Sequence, residues 1–320
     1  MSASELSEVA DLPDPAVPQP GVERQVEGRS PWQLAWIRLR RDRVAVVCAA
    51  FILLLVLVAI LADPLANWIG YNATDQDQVN GITADGLPVG PDAHHLLGTD
   101  NLGRDILVRI IFGTRVSLVV GVSAAVAAVL IGVIVGLCAG YLGPVVDSVL
   151  ARLMDVVLSF PFLLFAIALV TVVGPSELIE ILVIAFFSWA AVGRIVRGQT
   201  LAIREREYIE AARSLGAGNL RIMVIDVLPN LMAPVIVYVT LLIPVSIVFE
   251  ATLSYLGVGI IPPTPSWGNM ISDAQNFYQV AWWYLVFPGA ALVLTTLAFN
   301  LLGDSVRDAL DPRTERLFAK

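Results

Sequence analysis

The sequence predicts an all-α, polytopic membrane protein with six transmembrane helices. Hydrophobic residues fill 57% of its 320 positions, charged residues fill only 15%, and the apolar positions gather into long uncharged runs. Soluble globular domains carry about 25% charge, so this chain belongs in a bilayer. The runs extend over Val44 to Ala62, Val116 to Val146, Val156 to Ser176, Val227 to Phe249 and Ala274 to Gly303. Each supplies the roughly 20 residues that cross a hydrocarbon core. Ile181 to Gly193 is short alone, but it reaches that length if it begins at Leu178 and Arg194 and Arg197 snorkel to the interface.

Charge sets the orientation, because basic loops stay in the cytoplasm. Arg38, Arg40, Arg41 and Arg43 precede the first span; Arg194, Arg197, Arg204, Arg206, Arg213 and Arg221 lie between the fourth and fifth; Arg307, Arg313, Arg316 and Lys320 follow the last. All three clusters are inside if both termini are cytosolic. Ala62 to Gly103 has no Lys or Arg and six Asp, so it should face outward, as should Gly257 to Ala281. Arg104 to Arg115 reads as an interfacial helix leading into the second span, and its three Arg run against the rule.

The resulting organisation is a disordered cytosolic tail over 1–30, an amphipathic lead-in and first span over 31–62, an acidic extracytoplasmic loop over 63–103, a five-helix core over 104–306 and a cytosolic tail over 307–320. No cleavable signal peptide is evident ahead of the first span. The net charge of −8 argues against a nucleic-acid partner and leaves membrane lipid as the surrounding medium. Cys48 and Cys138 fall within spans and read as small packing residues. Pro161, Pro234, Pro244 and Pro288 each remove a helix hydrogen bond, so kinks or broken turns are expected there.

One polar stretch interrupts the apolar pattern. Tyr208 to Asn230 reads as a helix-turn-helix: Tyr208, Ala211, Ala212 and Leu215 share one helical face, Glu210 and Arg213 project elsewhere, Gly216 supplies a left-handed stop, and Asn219 is placed to cap a second helix. Ala124, Ala128, Gly132, Gly136 and Gly140 place a small residue at every fourth position of the second span, a stripe for close helix packing either inside this chain or against a second membrane subunit. Glu250, near the outer end of the fifth span, faces either a polar path or an inter-helix hydrogen bond, the latter favoured. Pro262, Pro263 and Trp267 mark an outer segment that covers a path's mouth or forms an ordinary extracytoplasmic loop.

Much chemistry is excluded. A P-loop needs a lysine after its glycines, and the one lysine is Lys320. His94-His95 lacks the ligand spacing of a zinc site and reads as a loop pair, and no G-x-S-x-G elbow occurs. Neither a catalytic centre nor a metal or cofactor site is expected in the chain. The rivals to a transport subunit driven by a separate ATPase are a secondary transporter or channel and, more distantly, a membrane enzyme.

Glu210, Ala211, Ala212, Gly216, Leu228 and Pro229 match the E-A-A-x3-G-x9-I-x-L-P pattern, with Asp226 at the isoleucine position. Together with LGTDNLGRDILVRIIFGTRVSL at Leu97 to Leu118, LSYLGVGIIPPTPSWGNMI at Leu253 to Ile271 and GDSVRDALDPR at Gly303 to Arg313, the chain resembles the permease subunits of dipeptide, oligopeptide and nickel ABC importers. That resemblance implies the type I importer permease fold, with a coupling helix at 207–222, in the inner membrane of a bacterium. It also implies a second homologous permease subunit, two cytosolic ATP-binding subunits that hold the ATP and Mg, and an extracytoplasmic substrate-binding protein. Glu210 would make polar contacts with the ATPase, Ala211 and Ala212 would allow close approach, and Gly216 would set the bend.

Overall fold

The computed structural model describes residues 31–311, so the tail read over 1–30 and most of the tail read over 307–320 lie outside the described residues. The described chain is helical: α1 Pro31–Arg41, α2 Arg43–Ile60, α3 Ala62–Ile69, α4 Ile106–Tyr141, α5 Pro144–Ser159, α6 Phe162–Val173, α7 Glu177–Arg204, α8 Glu207–Ser214, α9 Asn219–Arg221, a π-helical turn Ile222–Val227, α10 Leu228–Tyr255, α11 Trp267–Ala274 and α12 Trp282–Leu310. Among the described residues five helices are long and apolar enough to cross a membrane, and six spans result if the bent α5–α6 pair counts as one.

The break falls at Pro161, one of the prolines at which a kink or broken turn is expected, within the apolar run from Val156 to Ser176. Pro161 has no N–H to donate and disfavours helical geometry at the residue before it. Phe160 is accordingly extended at φ −79°, ψ 133°, and α5 meets α6 at 83°. Pro234, Pro244 and Pro288 lie inside α10 and α12 without breaking either helix. The part of the tail described beyond 306 is also helical, because α12 runs on to Leu310.

The fourth span is α7, whose N-cap Ser176 accepts from Ile179 N–H. Arg194 donates to Asp155 at 2.6 Å, and Arg197 makes a bidentate pair with Asp147, so both charges are met on α5. The α4–α7 pairing is the most extensive in the fold, and the small-residue stripe makes it. A Cβ on Gly132 would lie 2.8 Å from the Trp189 carbonyl, one on Gly136 2.5 Å from the Gly193 carbonyl, and one on Gly140 2.6 Å from Thr200 Cβ. Ala124 and Ala128 are fully buried in the same packing. Of the two readings of the stripe, packing within the chain is therefore the one realised, and α7 leaves no room on it for a second subunit.

Gly136→Ala should consequently cost about 1–3 kcal/mol through overpacking, whereas Gly198→Ala on α7, where a Cβ meets nothing within 4 Å, should be neutral or slightly stabilising. Thermal unfolding of the two variants in detergent measures the contrast, and equal stability would remove the stripe from the packing account.

Arg104 to Arg115 is not a separate interfacial helix. Asp105 caps α4 by accepting from Val108 N–H, and the helix runs without interruption from Ile106 through the span. Arg104 and Arg109 are buried and Arg115 is half-buried, and each is met by an acid. Asp100 accepts from Arg104 Nε at 2.6 Å and from Arg109 Nη1 at 2.8 Å, Asp273 stands 3.8 Å from Arg109, and Arg115 pairs with Asp63 at 2.8 Å. A charge count that treats these arginines as free therefore misreads them.

The loop between α3 and α4 is folded. His95, expected as an ordinary loop residue, is fully buried; its Nδ1 lies 2.9 Å from Asp105 and its ring 4.8 Å from Tyr71. Asp77 anchors the same loop, and N–H groups of Asn80 and Val79 that donate to it hold its carboxyl below the usual carboxylate range. At the other end of the bundle α1 packs on α12: Arg38 donates to the carbonyls of Ala309 and Asp311, and Ser305 donates to Asp42. Both ends of the described chain therefore meet on one side.

Candidate coupling surface

The polar stretch folds as α8, a tight turn and α9, which continues into α10. Three features of its sequence explain the shape. Ile209 is fully buried in a cluster with Tyr141, Val196, Ile222, Met223 and Val227, so it seats α8 on α4, α7 and the π-helical turn. Gly216 has φ +82°, a conformation that costs other L-residues roughly 1–2 kcal/mol. Around it, the Gly216 N–H bonds the Arg213 carbonyl and the Ala217 N–H bonds the Ala212 carbonyl, the paired bonds of a Schellman stop. The third feature corrects the expected cap: Gly218 holds the N-cap position, and Asn219 is the first helical residue.

The face expected to carry the amphipathic pattern points outward. Tyr208, Ala211 and Leu215 are exposed, Leu215 to 88%, and Ala212 is half-buried beside the Ile209 anchor. Leu220, Val224 and Ile225 extend the apolar exposure beyond the turn. Glu207 and Glu210 lie in the first turn of α8, where acidic side chains favour the helix dipole, and both are exposed. Arg213 lies over the Tyr141 ring at 5.7 Å, fixing the back of the element to α4. An exposed apolar strip edged by carboxylates on a rigidly seated helix is the composition of a protein-binding patch.

Downstream, only the tight turn over 215–218 separates α8 from the next span. Asn219 to Tyr255 is one continuous helical span. Its π-turn stands next to Pro229, which has no N–H, and the Leu228 N–H reaches back to the Met223 carbonyl, five residues earlier. Asp226, the mismatch in the motif, is half-buried within that turn.

The remaining singled-out residues lie elsewhere. Glu250 is fully buried and accepts hydrogen bonds from Ser117 at 2.7 Å and Ser254 at 3.0 Å, which joins α10 to α4. Trp267 is fully buried against Gly113 of α4, so neither it nor Glu250 faces a path, while Pro262 and Pro263 are exposed. Sequence reasoning missed Ile209, the Asp100–Arg109–Asp273 network and Glu180, a buried acid near the start of α7. Ile209 is legible in retrospect from its i, i+3 spacing to Ala212. The network joins residues far apart in sequence, and no local pattern announces it.

With this geometry in place, the relatives are informative. The family described as binding-protein-dependent transport system inner membrane component matches residues 128–316, and the N-terminal TM domain of oligopeptide transport permease C matches residues 30–83. The chain belongs to this permease family. The oligopeptide transport system permease protein OppC of Escherichia coli is 44% identical over 90% of this chain and 93% of that protein. The glutathione transport system permease protein GsiD of Pectobacterium atrosepticum is 40% identical over 91% and 94%, and the dipeptide transport system permease protein DppC of Alkalihalophilus pseudofirmus is 40% identical over 94% and 95%. The permease is thus an all-α membrane component of an ABC importer, and the family consists of transport subunits, with ATP hydrolysis left to partner ATPases. The family also implies a substrate-binding partner and a bacterial inner membrane.

Proposed function

We propose that this permease moves dipeptides, oligopeptides or a similar small solute such as glutathione inward across the cytoplasmic membrane. It does so paired with a second homologous permease, powered by two cytosolic ATP-binding subunits and supplied by an extracytoplasmic binding protein. Both termini and α8 lie in the cytosol, consistent with the arginine clusters at Arg38 to Arg43 and Arg194 to Arg221.

The observation that carries this reading is the exposed patch on α8, seated by the buried Ile209 and joined by the single tight turn over 215–218 to the unbroken helix from Asn219 to Tyr255. A partner whose two states hold α8 differently must tilt α10, and tilting α10 changes its packing on α4 and α12. The ATP and Mg belong to the partner; Glu210, Tyr208 and Leu215 supply the surface it grips, with Ala211 and Ala212 letting it approach.

The test is uptake of labelled dialanine, trileucine and glutathione by the assembled transporter in proteoliposomes. Uptake should require ATP, both permeases and the ATPase subunits. Uptake that persists when the ATPase subunits are left out would instead establish a secondary transporter or channel.

A further inference from the structure

Three arginines at the junction of α1 and α2 have no acid to meet. Asp42 separates the two helices with an extended backbone, ψ 111°, and α1 packs on the end of α12. Ala35 is buried in that contact, and Arg38 donates from it to the Ala309 and Asp311 carbonyls. On another side of α1, Trp32, Trp36 and Arg40 follow at four-residue steps and are all exposed. The Arg40 guanidinium stands 5.8 Å from the centre of the Trp36 ring. Arg41 and Arg43 are exposed on either side of Asp42.

Asp42 lies between two of these cations in the chain and pairs with neither. One of its oxygens accepts from Val44 N–H at 2.9 Å, the other from the Ser305 hydroxyl at 2.6 Å. Among the described residues no carboxylate lies within ion-pairing distance of Arg40, Arg41 or Arg43, whereas Arg104, Arg109 and Arg115 each have one. Along α2 from Arg43 an apolar ridge is bare: Val47 and Leu54 share its face and are 67% and 55% exposed. From Arg43 to Leu54 the helix rises about 16 Å, roughly half of a hydrocarbon core of about 30 Å and so the depth of one leaflet. Unpaired cations, exposed indole rings and an uncovered apolar ridge match the phosphate, the interfacial region and the acyl chains of a lipid in turn. A soluble anion would use the cations alone and leave the rings and the ridge in water. A zwitterionic headgroup brings an ammonium that the three arginines repel.

We propose that the elbow between α1 and α2 binds an anionic phospholipid. Its phosphate meets Arg40, Arg41 and Arg43, its glycerol region lies against Trp32 and Trp36, and its acyl chains run along Val47 and Leu54. Because Arg38 and the Ser305–Asp42 bond fasten this elbow to α12, the lipid also holds the end of α12 at the membrane surface. The site needs only that α2 is a span, so it stands or falls separately from the transport reading.

The test is native mass spectrometry of the complete transporter in detergent, titrated in parallel with phosphatidylglycerol, phosphatidylcholine and inorganic phosphate. Arg40→Gln, Arg41→Gln and Arg43→Gln together should remove at least one phosphatidylglycerol copy, read as the difference from the parent so that lipids held elsewhere cancel. At about fivefold per arginine beside an anionic lipid, that copy should bind roughly 100-fold more weakly in the variant, with phosphatidylcholine unchanged. Three Lys replacements should keep the copy, and Arg152→Gln, an exposed arginine of α5, should not affect it. Trp32→Ala with Trp36→Ala should weaken both lipids alike. If the triple variant does not assemble, Arg40→Gln alone should show the fivefold loss. A copy number and midpoint that the Gln replacements leave intact, or equal losses of the two lipids, would overturn the proposal. Displacement of phosphatidylglycerol by inorganic phosphate would reduce the elbow to an anion site and overturn it too. The competing occupant is the segment 1–30, with six carboxylates against two arginines: a lipid copy that appears only once residues 2–29 are deleted would assign the arginines to that segment instead.

Discussion

Leu215→Asp in α8 will abolish most ATP-driven uptake while leaving the permease folded in the membrane. Leu215 is among the most exposed apolar side chains in the structure and touches none of the packing that seats α8, which depends on Ile209. A charge there meets water in the isolated chain and costs little. In the assembled transporter it would be buried against the ATPase without a partner, and losing an anchor of this kind costs about 2 kcal/mol or more, roughly a 30-fold loss of affinity. Glu210→Ala should act in the same direction by removing the carboxylate at the edge of the patch. Pull-down of the ATPase subunits, with uptake measured in parallel, provides the check. Wild-type assembly and uptake in both variants would remove α8 from the coupling surface. Ile209→Ala is the contrasting variant, expected to unseat the element itself and lower the stability of the whole chain by about 2–5 kcal/mol.

The second large effect is expected at Asp100. This carboxylate is fully buried, accepts from Arg104 and Arg109, and also accepts from the backbone N–H groups of Leu102 and Arg104. Arg109 is 1% exposed. Asp100→Ala leaves two guanidiniums that face only Asp273, at 3.8 and 3.9 Å. Removing one partner from a buried pair costs about 3–5 kcal/mol because the other charge stays desolvated and unmatched. The variant should therefore unfold at a markedly lower temperature in detergent, with the loop between α3 and α4 the first part to lose protection. Asp100→Leu combined with Arg109→Met should recover part of the loss, since it removes one of the two unmatched charges and leaves only Arg104 facing Asp273. A single variant within about 1 kcal/mol of the parent would mean that the ion network does not hold the loop to the bundle.

These two sites differ in how far the sequence announced them. The coupling element was visible in one dimension, because its charge interrupts an apolar pattern and its Gly216 stop lies within the segment. Which of its faces points outward was not visible: an apolar strip on a short helix serves equally to bury the helix or to bind a partner, and only the position of Ile209 among Tyr141, Val196 and Val227 separates the two. Arg104 and Arg109 looked like a charge anomaly because no local pattern shows Asp100 folding back onto them, and their second acid, Asp273 of α11, lies more than 160 positions away in the chain.

By itself the sequence determined what depends on composition and short-range pattern: an all-helical membrane chain, the number of its spans, the polar insertion and the proline at which the third span breaks. Hydrophobic run length, arginine placement and the missing N–H of Pro161 act locally, so a linear reading captures them. Tertiary structure alone decided which helix fills the glycine stripe of α4, that Glu250 and Trp267 are interior, and that α1 packs on α12. Each of these depends on which surfaces meet across the bundle, and helices with similar apolar faces do not encode that choice within any single segment.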